Sequence, residues 1–276
     1  MNTEPSKRCV SCGATLHGDW CHDCGERSLE STPPSLLRFV TELLSEVFDT
    51  DGRIVKTLRL LVSRPGRLEV EHMTGRRKPY LSPAALFIVM NVLFFFIQPL
   101  VNINTFIASL EGQTNWYPYS PWVAGLVEEK IVQIGMSREA YEASFDAASE
   151  NYARSLIFMQ VPLLAIALSL VHIAKRRYFV EHLVYATHFY AFMLLLNIVA
   201  GFGVYTYFRL GLGNEFNLEL TFSVLIWLYL FFSTREAYAD GWIGSAIKAV
   251  LLLAVVSAVV QAHRFLLFLV TFATVP

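Results

Sequence analysis

The sequence predicts an all-α membrane protein, in which a bundle of about five transmembrane helices carries a small N-terminal zinc ribbon and amphipathic interfacial helices. Charged residues make up only 16% of the chain and hydrophobic residues 54%, whereas about 25% of the residues in soluble domains are charged. About half of the charges lie in the first 80 residues, and long apolar segments follow them. The formal net charge of -1 gives no electrostatic basis for binding nucleic acid, and no nucleic-acid partner is expected.

Residues 1–30 contain the feature that predicts the zinc ribbon. All the cysteines of the chain lie here, as two C-x-x-C-G motifs made by Cys9, Cys12, Cys21 and Cys24. Four thiolates in this pattern match the tetrahedral geometry that a structural zinc ion prefers, so one Zn²⁺ per chain is expected. Two disulfides or free thiols are the alternatives. No secretory signal precedes the cysteines, and a reducing cytosol favours metal binding.

Residues 31–82 form an amphipathic connector between residues 1–30, which we call the head, and the membrane domain. Apolar residues recur at helical spacing over 35–48 and again over 54–62, with lysine and arginine among the polar positions. The connector either lies in the anionic headgroup layer or packs on the cytosolic face of the bundle. Two basic runs are assigned to the membrane surface: Arg76, Arg77 and Lys78 before the first span, and Lys175, Arg176 and Arg177 after the second.

Residues 83–276 form the transmembrane domain, with an external loop at 111–153. Five segments are long and apolar enough to span a bilayer: 84–107, 154–174, 183–208, 218–234 and 244–262. The basic runs place the N-terminus in the cytoplasm and the C-terminus outside. The acidic external loop contains a helix that begins after Ser137. Residues 244–276 form either one tilted helix or a span followed by an interfacial tail.

Ionisable residues collect where the second span ends and the third begins: His172, Glu181, His182 and His188. On a helix, Glu181 and His188 share a face, whereas His182 lies about 100° away. Three imidazoles and a carboxylate can bind a transition metal or relay protons. The alternative is that they cap the helix and hydrogen-bond across the bundle. The sequence contains no P-loop, nucleophile elbow or zinc-protease motif that would indicate an enzyme.

The order of the motifs resembles a bacterial family of zinc-ribbon membrane proteins known as domain of unknown function 3667. The resemblance depends on the two cysteine motifs, on Lys56-Thr57-Leu58 and Arg64-Pro65-Gly66, on the segment 75–83, and on Glu181-His182-Leu183-Val184 with His188. It implies a multi-pass protein of the bacterial inner membrane with an N-terminal zinc ribbon. In such a membrane, the C-terminus that the basic runs place outside is periplasmic. The resemblance implies no activity, but it suggests that segments 75–83 and 181–188 serve the shared task of the family.

Three functions are compatible with these features. The leading hypothesis is a non-enzymatic inner-membrane protein whose zinc ribbon and basic connector bind a protein partner or a second copy against the bundle. The alternative is a transporter, channel or lipid-handling protein that uses Glu181, His182 and His188. The second alternative is a metal-dependent membrane enzyme, which would need a second metal ion.

Overall fold

The computed structural model describes residues 8–26, 52–101, 106–210 and 218–275. Within these residues every regular element is a helix, apart from a single bridge between Arg8 and Thr15. The amphipathic helix predicted over 35–48 lies outside the described residues. Four of the described helices are long and apolar enough to cross a membrane: Pro83–Val101, Arg138–Val171, Phe179–Tyr207 and Trp242–Thr274. The all-helical class predicted from the sequence is thus confirmed for the described residues, with four candidate spans where about five were predicted.

Two short helices and the loop that follows them, residues 52–82, form a unit that we call the cap. Its helices are α1 (Arg53–Ser63) and α2 (Arg67–Met73), and α1 agrees within one residue with the helix predicted over 54–62. The buried side of α1 carries Thr57 and Leu61, while Val55 and Val62 are exposed on the other side. The cap packs on one end of the bundle mainly through α2, which contacts two long helices of the bundle, while α1 turns its buried side inward.

Helix α3 (Pro83–Val101) begins at Pro83, where the missing N–H of proline costs no helical hydrogen bond. The predicted end of this span at residue 107 is wrong, because residues 106–109 are not helical. Pro99 lies in the last turn of α3 and lacks the N–H that would extend the hydrogen-bonding pattern. The chain re-enters a helix at α4 (Leu110–Asn115), which Ser109 caps by accepting a hydrogen bond from the Gly112 N–H.

Most of the predicted external loop is helical. After α4 come α5 (Ser120–Ile134) and α6 (Arg138–Leu156), and Ser137 caps α6 by accepting a hydrogen bond from the Ala140 N–H, as predicted. A 3₁₀ turn joins α6 to α7 (Gln160–Val171). The predicted external helix and the predicted second span are therefore one helical rod of 34 residues.

The remaining helices are α8 (Phe179–Arg209), α9 (Leu218–Tyr238) and α10 (Trp242–Thr274). Helix α8 packs against α3 and α7, and α10 packs against α6, α7 and α9. The fourth predicted span lies within α9, which is not among the four helices that meet the length and composition criteria for a span. Of the two alternatives for residues 244–276, the structure has the single helix.

A second apolar core lies at the end of the bundle away from the cap. Residues 106–156, which we call the loop domain, bury Val123, Val127, Tyr141 and Phe145 against Phe268 of α10. The last turns of α10 are therefore part of this core and do not form a separate interfacial tail.

Candidate functional site

The four cysteines of the head lie close enough together to hold one metal ion. Their Sγ atoms are all within 4.8 Å of one another, and none of them forms a disulfide. The closest pairs join the two motifs, with 3.5 Å between Cys9 and Cys24 and 3.5 Å between Cys12 and Cys21. Sulfur atoms bound to one tetrahedral zinc ion at about 2.3 Å lie about 3.8 Å apart, so the arrangement fits such an ion.

Each cysteine motif forms the same tight turn. The N–H of Gly13 donates to the carbonyl oxygen of Cys9, and the N–H of Gly25 donates to that of Cys21, both at 2.9 Å. Both glycines have a positive φ, of 80° and 69°, which side chains other than glycine rarely adopt. A backbone hydrogen bond from Cys24 is the main cause that lowers the pKa of the Cys21 thiol to about 7. The thiolate form of Cys21 is therefore accessible at neutral pH, whereas burial raises the pKa of the Cys24 thiol.

A buried carboxylate attaches the head to the cap. Oε2 of Glu26 accepts hydrogen bonds from the Ser11 hydroxyl at 2.6 Å and from the backbone N–H groups of Arg77 and Lys78 at 3.1 and 2.7 Å. Glu26 itself is 6% exposed. Glu26 was not among the predicted site residues, although it directly follows the second C-x-x-C-G motif. The cysteine cluster is thus fixed against the first basic run.

The cap is joined to α9 by an unusually close backbone contact. Gly66 has a φ of 87°, and a Cβ on this residue would lie 2.4 Å from the carbonyl oxygen of Ser233. Beside it, Arg67 forms an ion pair of 3.2 Å with Glu236. The glycine of the Arg64-Pro65-Gly66 motif therefore allows α2 to start directly against the bundle.

Within the cap, a buried hydroxyl holds the loop that leads into the first span. Oγ1 of Thr57 accepts a hydrogen bond from the Leu81 N–H at 2.9 Å and donates to the Arg53 carbonyl oxygen at 2.7 Å. Thr57 is fully buried, so its hydroxyl replaces the water that the Leu81 amide would otherwise need. This contact explains why the Lys56-Thr57-Leu58 motif carries a threonine.

A carboxylate and an imidazole are buried together where α2 meets α8. Oε1 of Glu69 lies 3.4 Å from Nδ1 of His188, and the two side chains are each 2% exposed. His188 was predicted from the sequence as a polar site residue, but Glu69 was not. Glu69 lies among charged residues in α2, which the sequence alone suggests are exposed to solvent. The contact of α2 with α8 buries it.

His172 belongs to a second buried polar group, centred on Asp240. The carboxylate of Asp240 lies 3.2 Å from Nε2 of His172 and forms ion pairs with Lys175 at 3.0 Å and Lys248 at 2.8 Å. Burial lowers the pKa of His172 to about 4. Burial also raises the pKa of Asp240, but hydrogen bonds from Lys248 and Lys175 outweigh it and leave the pKa below its usual value. Asp240 therefore keeps its charge and balances the two lysines.

Tyr238 lies between two of the predicted cluster residues. Its hydroxyl is hydrogen-bonded to Nδ1 of His182 at 2.8 Å, and its ring stacks on that of His172 with 3.7 Å between the centroids. The guanidinium of Arg177 lies 5.1 Å from the same ring and 3.5 Å from the Glu181 carboxylate.

The four residues of the predicted polar cluster therefore do not meet at one point. His172 and His182 contact Tyr238, His188 faces Glu69, and Glu181 lies beside Arg177. In the part of the chain that the structure describes, the four cysteines are the only group of three or more potential ligands close enough to share a metal ion.

The two predicted basic runs lie next to each other. Nη1 of Arg177 is 2.8 Å from Sδ of Met73, at the end of α2. Arg76 lies 3.5 Å from the carboxylate of Glu71, and Lys175 contacts Asp240. The cap end of the bundle therefore brings together arginines that are far apart in the sequence.

The fold and the site define a helical protein with several potential membrane spans and, docked on its cap, a cluster of four cysteines that could hold a metal ion. Residues 51–95 match the family model described as "Protein of unknown function (DUF3667)". This match confirms the family resemblance, and it covers α1, α2, the basic loop and the first part of α3. No curated protein and no solved structure matches the chain.

Proposed function

We propose that this chain is a non-enzymatic protein of the bacterial inner membrane whose zinc-bearing head and basic cap bind another protein, which is either a cytosolic partner or a second copy of the chain. The N-terminus then lies in the cytoplasm and the C-terminus in the periplasm, because the cap end carries both basic runs. The resemblance to bacterial zinc-ribbon membrane proteins supports the same location.

The observation that carries the proposal is a head that is firmly docked and yet exposes apolar side chains. Glu26 fixes the head against residues 76–78, while Val10 is 51% and Trp20 is 47% exposed. Exposed apolar side chains on a rigid support suit a surface that binds protein. A zinc ion held by four cysteines has no open coordination position, so its role here is to fold the head.

The metal part of the proposal is tested by elemental analysis of the purified full chain. We expect one zinc ion per chain, and a Cys21→Ser variant should lose most of it. His22→Ala is the matched control, because His22 is an exposed neighbour of Cys21 and its loss should leave the zinc content unchanged. A second metal ion per chain, or a zinc content independent of Cys21, would contradict the proposal.

The binding part is tested by replacing Val10 and Trp20 together with serine. This variant keeps all four cysteines and should retain its zinc, but we expect it to lose co-purifying protein or to shift from a larger assembly to a single chain of 31.2 kDa. Val132→Ser, which changes an exposed apolar residue on α5 in the loop domain, away from the head and the cap, is the control. Unchanged partners and unchanged assembly mass in the serine variant would refute the proposal.

Transport and enzyme hypotheses have less support from the same geometry. Glu181 is engaged with Arg177, and His182 is hydrogen-bonded within a packed interior. A transport path through these residues would require both contacts to open.

A further inference from the structure

Aromatic side chains of the loop domain lie together beside α10. The ring centroids of Trp122 and Tyr119 are 6.0 and 5.0 Å from that of Phe265, and the ring of Tyr117 is 5.5 Å from that of Tyr119. We call these four side chains the aromatic surface. Trp122 is 54% exposed, so the aromatic surface presents a large indole ring to its surroundings.

The aromatic surface lies at the end of an exposed apolar face of α10. Ile247, Ala254 and Ala258 are exposed, and they precede Phe265 by 18, 11 and 7 residues. At 100° per residue, each of these intervals returns to within about 20° of the direction of Phe265, so the four residues share one face of the helix. In a helix that crosses a membrane, an exposed apolar face contacts lipid. The aromatic surface therefore continues the lipid-facing side of α10.

The length of α10 places the aromatic surface at one boundary of a bilayer. Trp242, the first residue of α10, is exposed, and the guanidinium of Arg235 lies 3.9 Å from the centroid of its ring. Phe265 lies about 34 Å farther along the helix, and a hydrocarbon layer is about 30 Å thick. Beside it, the guanidinium of Arg264 lies 5.1 Å from the ring of Tyr117. Aromatic rings with arginines at both ends of such a distance are typical of the two interfaces of a bilayer.

We propose that the loop domain rests on the lipid headgroup layer through the aromatic surface, with the indole ring of Trp122 among the headgroups. The occupant is a lipid surface and not a protein, because the aromatic surface continues the lipid-facing side of α10 at the level of the headgroups. An indole suits this position, since its apolar body contacts the acyl chains while its N–H reaches water.

This inference rests on the membrane location in the proposed function and goes beyond it. The sequence predicts residues 111–153 as an external loop, which on its own carries no contact with lipid. The aromatic surface makes the loop domain a second, lipid-bound part of the protein, at the end of the bundle away from the cap.

The test uses the zinc-loaded full chain in phosphatidylcholine vesicles and measures the quenching of tryptophan fluorescence by brominated lipids. The difference between the spectra of the unmodified chain and of Trp122→Phe is the signal of Trp122, and phenylalanine keeps an aromatic ring beside Phe265. We expect lipid brominated near the headgroup end of its acyl chains to quench this signal at least about twofold more than lipid brominated near the methyl end. Trp242→Phe is the matched reference, because Trp242 is exposed at the other boundary and its signal should respond in the same way.

Three results would overturn the proposal. Quenching of the Trp122 signal by acrylamide in water but by neither lipid would show that the aromatic surface faces water, and resistance to every quencher would show that a second copy or another protein covers it. Equal or stronger quenching by the deeper bromines would place the ring in the hydrocarbon layer. If the Trp242 signal is quenched by lipid in any of these cases, the membrane location stands and only this inference fails. Absence of lipid quenching from both signals would overturn the membrane location as well.

Discussion

Gly66 combines a φ of 87° with a backbone contact that leaves no space for a side chain. We expect Gly66→Ala to lower the free energy of unfolding, because the new Cβ both strains the backbone and pushes α2 away from Ser233. Gly52→Ala is the control, since Gly52 has a φ of 69° but no atom within 4 Å of the position that its Cβ would take.

The comparison of these two variants separates strain from collision. Gly52→Ala should cost about 1–2 kcal/mol, which is the strain alone, and Gly66→Ala about 2 kcal/mol more. Denaturant unfolding of the purified chain in detergent micelles measures both. Equal losses would show that the contact with Ser233 is not needed for the cap to dock.

The buried pair of Glu69 and His188 should be energetically coupled. We expect a double-mutant cycle with Glu69→Gln and His188→Gln to give a coupling of about 1–3 kcal/mol, because both side chains are removed from water. The pair of Arg67 and Glu236 also joins the cap to the bundle but is 39% and 46% exposed, so its coupling should stay below about 1 kcal/mol. Additive effects at the buried pair would contradict this expectation.

At the scale of single elements, the end of α10 depends on a residue from another helix. Nζ of Lys130, in α5, donates to the Phe272 carbonyl oxygen at 2.6 Å and also to that of Val275. These are carbonyl groups that the helix itself leaves without partners. A positive charge at this position also interacts favourably with the negative end of the helix dipole.

Replacing Lys130 with methionine should loosen the last turn of α10. We expect the backbone amides of residues 271–275 to exchange hydrogen about tenfold faster, because a charged hydrogen bond to the end of the helix is lost. Arg138→Met is the control, as Arg138 contacts only the exposed Glu128 among the described residues. Hydrogen exchange followed by mass spectrometry measures both variants. Similar exchange rates in the two would show that Lys130 does not hold the last turn of α10.

For the whole molecule, the attachment of the head to the cap should depend on Glu26. We expect Glu26→Ala to keep one zinc ion per chain but to speed amide exchange at Arg77 and Lys78 about ten- to hundredfold, since both amides lose a buried charged acceptor. Asp23→Ala, at a side chain that is 57% exposed, should leave these amides unchanged. Unchanged exchange in Glu26→Ala would mean that the head is held by other contacts.

The features that the sequence predicted correctly are those with a local cause. Three such features depend on residues a few positions apart: the start of α3 at Pro83, the hydrogen bond by which Ser137 begins α6, and the grouping of the four cysteines. Glu26, Glu69 and Asp240 escaped prediction, because each becomes buried only through contacts with segments far along the chain. The sequence left open whether the predicted histidine cluster forms one site or hydrogen-bonds separately across the bundle, because the contacts that separate its members come from distant helices.

Two helical rods, Arg138–Val171 and Trp242–Thr274, have 34 and 33 residues. At 1.5 Å per residue each is about 50 Å long, which exceeds a hydrocarbon layer of about 30 Å by roughly 20 Å. Because the rods pack on each other and both reach the loop domain, in a bilayer their excess length holds that domain clear of the hydrocarbon layer.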